Sequence, residues 1–247
     1  MRYAIFGTGR VGGSMATYLR SLGHEVAAIR RTTDADTARR AVDDADVVAA
    51  ATPDDVLPSW AAQWVPVAPG KVFVHFAGAV ALAGVRRFHP LYSFGPQPLA
   101  PAEVARVAFA CEPDGPSFAD VFPGATNPTF VVGSEDAAYY HALAVVSGNL
   151  AAFVWNETAR RFRARLDAPA AALAPYFRSL VDRFEEAPEH SLTGPVARQD
   201  RRTVARNLAA LADDPELGGL YRAFLAAAWP EFDGDPGAGA ATAADEP

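Results

Sequence analysis

RYAIFGTGRVG, residues 2–12, is the stretch that decides the fold of this chain. A short apolar run with strand composition leads at once into a G-x-G-x-x-G pattern, and a helical pattern follows over residues 11–22. In this setting Gly7 permits a tight turn, Gly9 lets the backbone approach a pyrophosphate, and Gly12 lets the helix pack close to the strand. The positive end of the helix dipole favours phosphate at the same place. The residues predicted to bind a dinucleotide here are Gly7, Thr8, Gly9, Arg10, Val11 and Gly12. The alternative is a glycine-rich turn without a ligand.

The residues after the second strand, which covers residues 26–29, indicate which dinucleotide is bound. An NAD-binding domain usually has Asp or Glu at this place, where the carboxylate bonds the ribose 2′-hydroxyl. Here the sequence is Arg30-Arg31-Thr32, and a guanidinium group presents donors that suit a 2′-phosphate. We therefore predict NADP as the cofactor. The alternative is that the two arginines only cap a strand at the surface.

Two further strand ends are expected beside the cofactor. Residues 46–51 and 71–76 are near-continuous apolar runs, which are typical of parallel strands covered on both faces. The carboxyl ends of such strands form the ligand edge of an α/β sheet. The residues predicted at this edge are Thr52, Pro53, His75 and Gly78. The alternation leaves open whether His75 points toward the cofactor or into the core.

The composition is that of a globular protein with one large or two modest domains. The chain has 247 residues, half of them hydrophobic, and its formal net charge of −7 argues against a nucleic-acid partner. We find no secretory signal and no uninterrupted apolar run of about 18 residues, so we expect a cytoplasmic protein without a membrane partner. The single cysteine and the scattered histidines predict no metal site.

The two halves of the chain have different patterns. Every predicted strand, including residues 104–111 and 128–132, lies before residue 134, and we assign all of them to one Rossmann-type, mostly parallel sheet in an α/β domain. Later spacings predict helices over residues 134–166, 170–186, 197–211 and 215–229. The predicted organisation is therefore a Rossmann NADP-binding domain at 1–133, an all-helical substrate and dimerisation domain at 134–232, and a disordered tail at 233–247.

The long helix predicted over residues 134–166 is apolar on more than one face in its middle part. A helix of this kind needs cover on several sides. In a chain of this size a second subunit is a natural source of cover, so we predict a homodimer through the helical domain. The alternative is burial inside a monomeric bundle.

Six segments together resemble a family of Rossmann-like NADP-binding proteins that carry a C-terminal helical domain of unknown function. These segments are FGTGRVG (residues 6–12), ATPDDVL (51–57), VHFAGA (74–79), HPLYSF (89–94), YHALAVVSGNL (140–150) and TGPVARQD (193–200). The family is akin to pyrroline-5-carboxylate reductases, ketopantoate reductases and deazaflavin-dependent NADP oxidoreductases. The resemblance implies a helical domain similar to the C-terminal domain of 6-phosphogluconate dehydrogenase, with substrate held between the domains. One departure is Gln199, where the family more often has glycine.

Three polar residues are the candidates for catalysis. His141 and Asn149 are eight residues apart, which places them near one face of a regular helix. Such polar groups are costly to bury without partners, so His141 could act as a general acid and Asn149 could orient a carbonyl or imine. His89, beside a proline at a strand end, is a third candidate. For each residue the alternative is a structural hydrogen bond to a neighbouring group.

The sequence also limits the reaction. Lys71, the only lysine, begins a predicted strand, so a lysine-dependent carbonyl mechanism is not expected. We therefore predict an NADP-dependent oxidoreductase that transfers a hydride between nicotinamide and a small carbonyl or imine substrate in the interdomain cleft. Two alternatives stay open: a non-catalytic dinucleotide-binding sensor or scaffold, and a deazaflavin as hydride partner. The substrate and the reaction direction are not specified by the sequence.

Overall fold

A computed structural model describes residues 1–234, so the predicted tail lies outside the described residues from residue 235 onward. Seven strands form one sheet: β1 (Arg2–Phe6), β2 (Glu25–Ile29), β3 (Val47–Ala50), β4 (Val72–His75), β5 (Arg86–Leu91), β6 (Ala108–Cys111) and β7 (Thr129–Val131). Their order is β2-β1-β3-β4-β5-β6-β7. Strands β1 to β5 run parallel, while β6 and β7 run antiparallel to them. The predicted α/β fold with a mostly parallel sheet is confirmed. The strand order reverses between β1 and β3, which is where open α/β sheets bind ligands.

Helices cover the sheet on both faces. They are α1 (Arg10–Ser21), α2 (Ala35–Asp44), α3 (Leu57–Trp64), α4 (Pro101–Val104) and α5 (Phe118–Val121). Alternate residues of β1 enter opposite halves of the core: Tyr3 packs on the α1 side, and Phe6 packs against Trp60 of α3. This two-sided burial explains the near-continuous apolar runs of the central strands.

The sixth strand begins later than the sequence pattern predicts. Residues 104–111 were expected to form it, but its first part is the end of the short helix α4 and a turn. Pro101 occupies the start of α4, and the Glu103 carboxylate accepts a hydrogen bond from the backbone N–H of Ala100 at 2.9 Å. Proline in the first turn and an acid three residues after the cap both favour a helix start. The strand prediction was therefore wrong for this part.

The long helix is continuous but not regular. It comprises α6 (Ala137–Ala144), a π-helical segment (Val145–Leu150) and α7 (Ala151–Leu166). The π-helical segment contains two β-branched valines and a glycine, which are poor α-helix formers. Because the α-helical phase is interrupted between His141 and Asn149, the placement of these residues on one face by α-helical spacing does not hold.

The remaining helices are α8 (Leu173–Glu186), α9 (Arg201–Ala210) and α10 (Pro215–Ala228). Pro175 lies in the first turn of α8, where proline is tolerated. Helix α9 begins later than predicted because the Asp200 carboxylate caps it, accepting from the Thr203 N–H at 3.0 Å. The chain divides into two compact units between Glu157 and Thr158, whereas the predicted boundary at residues 133 and 134 follows the last strand.

The helix from Ala137 to Leu166 is long and apolar enough to cross a membrane by length and composition. The expectation from the sequence used a narrower criterion, an uninterrupted apolar run: histidine, serine, glycine and asparagine interrupt this stretch but add no formal charge. In the structure most of its apolar part is exposed. Length and composition do not distinguish a spanning helix from one that packs against another protein, because both need an apolar surface.

Candidate functional site

The glycine turn after β1 has the geometry expected of a phosphate-binding turn. Gly7 has φ of 95°, and a Cβ built there would collide with the Ala51 carbonyl oxygen. A Cβ at Gly12 would collide with the Gly7 carbonyl oxygen, so α1 lies close against the turn. At Gly9, in contrast, a built Cβ meets no atom within 4 Å. The space in front of Gly9 is therefore open, and this is where a diphosphate would approach the start of α1.

A pocket of about 630 Å³ opens beside this turn, where the strand order reverses between β1 and β3. Seven of the predicted cofactor-binding residues line it: Gly7, Thr8, Gly9, Arg30, Arg31, Thr52 and Pro53. Six others do not: Arg10, Val11, Gly12, Thr32, His75 and Gly78. Thr33 lines the pocket where Thr32 was predicted, and its hydroxyl accepts a hydrogen bond from the Arg30 N–H at 2.9 Å. Trp60 and Trp64 of α3 also line the pocket and were not predicted from the sequence.

The charge of this pocket suits an anion. Arg30 and Arg31 are the charged residues among the lining side chains of the described chain, and no carboxylate is among them. Both arginines are exposed and free to reorient toward a ligand. Deeper in the wall, the Thr52 hydroxyl and the Trp60 indole nitrogen are buried without hydrogen-bond partners in residues 1–234. The pocket thus has apolar walls and two guanidinium groups, which are features of a nucleotide site.

A second group of polar side chains lies at the same edge of the sheet, where β5 ends. The Tyr140 hydroxyl and His89 Nδ1 are 2.7 Å apart, and the His141 ring centroid lies 5.8 Å from that of His89. Both histidine rings lie over Gly78: a Cβ built there would collide with His141 and come within 3.0 Å of His89 Nε2. The structure therefore brings together two of the predicted catalytic residues, His89 and His141, with Gly78. The sequence analysis missed Tyr140, although it directly precedes His141.

A fully buried arginine lies beneath this group. Arg87 of β5 is 0% exposed, and one of its terminal nitrogens donates to the Val132 carbonyl oxygen at 2.7 Å. Its Nε and other terminal nitrogen have no partner in the described chain. His75 of β4 is paired in register with Arg87, is also 0% exposed, and has both ring nitrogens unpartnered. The open question about His75 is thus answered: its side chain points into the interior.

Burial, with a smaller effect of the buried Arg87, sets the charge state of the histidines. Burial, with smaller effects of the charges of Arg87 and His89, lowers the pKa of His75 to about 4. Burial, with smaller effects of His141 and Arg87, lowers the pKa of His89 to about 4. Burial raises the pKa of Tyr140 to about 12, although Arg87 opposes that rise. Near neutral pH both histidines are therefore uncharged and Tyr140 keeps its proton.

Two other residues of the predicted site lie elsewhere. Asn149 is exposed on the π-helical segment, and within residues 1–234 its side chain makes no hydrogen bond to the histidine–tyrosine group. Its role stays a prediction. Gln199 has φ of 53°, a conformation that favours glycine. The loop therefore keeps the backbone shape for which glycine is the usual residue, at the cost of some strain.

Comparison with known proteins agrees with this architecture. Residues 112–228 match the family described as "Domain of unknown function (DUF2520)". Comparison with curated protein sequences gives no match. The structure of BF3122 from Bacteroides fragilis, a proposed NADP oxidoreductase, superposes with a TM-score of 0.70 at 18% identity, covering 92% of this chain and 97% of that one. Protein TM1727 from Thermotoga maritima gives 0.67 at 21% identity, with 92% and 96% covered.

A reductive aminase from Aspergillus terreus, in complex with NADPH and ethyl levulinate, is also similar. Its TM-score is 0.59 at 18% identity, and the match covers 92% of this chain and 90% of that one. At these identities the similarity establishes the fold: a Rossmann-like domain followed by a helical region, as the sequence motifs predicted.

Proposed function

We propose that this protein is an NADP-dependent oxidoreductase that transfers a hydride between nicotinamide and a small carbonyl or imine compound. One observation carries the proposal: an open glycine turn flanked by two arginines and a histidine–tyrosine pair lie at the same edge of one sheet. BF3122, a proposed NADP oxidoreductase, and the reductive aminase in complex with NADPH support the same class of chemistry.

The residues that would hold the cofactor follow from the pocket. The backbone in front of Gly9 and the start of α1 would bind the pyrophosphate, because the space is open and the helix dipole is positive there. Arg30 and Arg31 would bind the 2′-phosphate, and the aromatic wall at Trp60 would cover the adenosine half. The nicotinamide supplies the hydride once it is bound.

In this proposal the second group of side chains meets the reacting end of the cofactor. Strands β1, β3, β4 and β5 are neighbours, so the ends of β1 and β5 are about 14 Å apart at a spacing of about 4.8 Å per strand. An extended dinucleotide with its pyrophosphate at β1 can cross this distance. His89 and His141 then supply polar contacts to the substrate, in a part of the chain that has no lysine.

The test has two stages. Titration calorimetry should detect NADPH binding, and NADPH oxidation should be followed with a panel of carbonyl compounds, each with and without an amine, and of cyclic imines. Turnover of one class supports the proposal. Tight NADPH binding without turnover of any member would favour the alternative, a non-catalytic sensor or scaffold. Hydride transfer to a deazaflavin alone would identify that molecule as the hydride partner instead.

We further propose that the protein is a cytoplasmic homodimer whose second copy covers the exposed apolar stripe of the long helix. Five side chains form this stripe and are between 43% and 68% exposed: Tyr139, Leu143, Val146, Leu150 and Phe153. They follow one another along the long helix, from α6 through the π-helical segment to the start of α7. A stripe on one helix can pair with its own copy across a two-fold axis.

Sedimentation tests this assembly. Wild-type protein should sediment as a dimer, and Val146→Glu with Leu150→Glu should sediment as a monomer. Leu192→Glu, at an exposed leucine outside the stripe, is the matched control and should leave the dimer intact. Monomeric wild-type protein would contradict the assembly. Flotation of the wild type with phosphatidylcholine vesicles would show instead that the stripe faces a membrane.

A further inference from the structure

We infer that His89, as an uncharged imidazole, donates a hydrogen bond from Nε2 to the reacting oxygen or nitrogen of the substrate. Tyr140 is a positioning residue that keeps the His89 proton on Nε2 and replaces it after transfer. The inference rests on the proposed function and adds the identity and the charge state of the proton donor. It concerns two residues whose side chains are 2.7 Å apart.

The charge states of both groups permit a Tyr140–His89 hydrogen bond in which Tyr140 donates, and we infer this direction. Tyr140 keeps its proton near neutral pH, since burial raises its pKa, so its hydroxyl can donate. An uncharged imidazole has one N–H and one acceptor nitrogen. If Nδ1 accepts from Tyr140, the proton of the ring is on Nε2. The hydrogen bond at one ring nitrogen therefore decides whether the other ring nitrogen carries the proton.

The Nε2 side of His89 is the side that a substrate can reach. This nitrogen has no hydrogen-bond partner within residues 1–234, and it is not among the buried unpartnered atoms. It lies over Gly78, a position where any side chain would press against it. The half-buried His141 ring lies edge-on to the His89 ring and bounds the same space. A small carbonyl or imine acceptor entering here meets the Nε2–H group first.

Burial, together with the surrounding charges, explains why His89 acts uncharged. Arg87 on the same strand and His141 on α6 both disfavour a second proton on His89, in addition to burial. His75 on the neighbouring strand is itself kept neutral, so it adds no charge beside His89. No carboxylate bonds this ring in the described chain. A neutral imidazole can still polarise a carbonyl as a hydrogen-bond donor, and it needs no prior protonation.

The proton steps balance. As the carbonyl or imine carbon gains the hydride, its oxygen or nitrogen gains electron density and takes the Nε2 proton of His89. His89 Nδ1 takes the Tyr140 hydroxyl proton at the same time, so the ring stays uncharged. The negative charge then rests on the Tyr140 oxygen, where the positive charge of Arg87 partly offsets the rise in pKa that burial causes. Water returns the proton to Tyr140 after the product leaves.

Nitrogen-15 NMR of the histidine rings tests the charge state without any substrate. We expect one ring, assigned by its loss in His89→Gln, to carry its proton on Nε2 and to stay uncharged from pH 8 down to about pH 5. In Tyr140→Phe the same ring should become a mixture of the two neutral forms, because its Nδ1 partner is gone. A proton on Nδ1 in the wild type, or a charged ring at pH 7, would overturn the inference.

Kinetics on the reactive member of the carbonyl and imine panel test the role. His89→Gln should lower kcat by about 100-fold or more while the NADPH dissociation constant changes less than twofold. The exposed His190→Gln is the matched control and should retain wild-type kcat. The wild-type kcat should be independent of pH between 5 and 8. A tenfold fall per pH unit above 6.5 would mean a charged imidazole and overturn the inference.

Failure of this inference and failure of the proposed function have different signatures. Wild-type protein that binds no NADPH, or that turns over no member of the panel, contradicts the proposed function and the inference together. Wild-type turnover that survives unchanged in His89→Gln overturns the inference alone. Partial loss in Tyr140→Phe, with the NMR change described, is the result that distinguishes a proton relay from a purely structural tyrosine.

Discussion

Replacing Gly9 by alanine should separate cofactor binding from folding. A Cβ at Gly9 meets no atom within 4 Å, and the backbone has φ of −72° and ψ of −159°, an extended conformation that alanine adopts without strain. Gly9 is the N-cap of α1, so exchange for alanine should reduce the free energy of unfolding by about 1 kcal/mol or less. The folded protein should therefore accept the methyl group.

Binding should respond much more strongly than folding. The methyl group would occupy the open space in which a pyrophosphate approaches the backbone, and would separate a phosphate oxygen from its N–H donor. A hydrogen bond to a charged group contributes about 1.5–3 kcal/mol. Loss of one such bond should weaken NADPH binding by about 10- to 100-fold.

The assay pairs calorimetric titration with urea unfolding on the same samples. Gly219→Ala is the matched control: a Cβ there also meets no atom within 4 Å, but the residue lies in α10, so NADPH affinity should be unchanged. Wild-type NADPH affinity in Gly9→Ala would refute the reasoning, because the phosphate could not then be lying against this turn.

Three further changes test other parts of the account. Gly12→Ala should lower the free energy of unfolding by about 1–3 kcal/mol, measured in urea, because its methyl group would overlap the Gly7 carbonyl oxygen. The pKa of histidine is about 6.5 in the unfolded chain, whereas the pKa of His75 in the folded protein is about 4. Wild-type unfolding free energy should therefore fall as the pH drops from 7 to 5, with about 2 kcal/mol of the fall due to His75, and His75→Leu should abolish that part. An equal fall in both proteins would contradict this. Asn149→Ala should lower turnover by about 100-fold with unchanged NADPH affinity if Asn149 orients the substrate, and full turnover would remove it from the site.

The turn, the sheet and the arginine pair were predictable because their signals are local. Gly7, Gly9 and Gly12 are read directly from their spacing between a strand and a helix, and the side chains that follow β2 are fixed by chain order. The start of α4 also carried a local signal, in Pro101 and Glu103, which the apolar run after them concealed.

The chemistry around His89 was only half predictable. A histidine before a proline at a strand end is visible in the sequence, but its hydrogen bond to Tyr140 joins residues 51 positions apart. Burial of Arg87 could not be predicted, because arginine in a strand usually points to solvent and only the packing of the sheet encloses it. The π-helical segment has no established sequence signal, so the relation between His141 and Asn149 was predicted with the wrong helical phase.

The central claim is that the pocket beside β1 binds NADP through the glycine turn and the two arginines. It is tested most directly by calorimetric titration of wild-type protein and of Arg30→Glu with Arg31→Ala, each with NADPH and NADH. We predict that the wild type binds NADPH about 100-fold more tightly than NADH, since the two arginines can form two charge-assisted hydrogen bonds to the 2′-phosphate. The double variant should prefer NADH. Absence of binding to either dinucleotide by the wild type, or an unchanged NADPH preference in the double variant, would contradict the account.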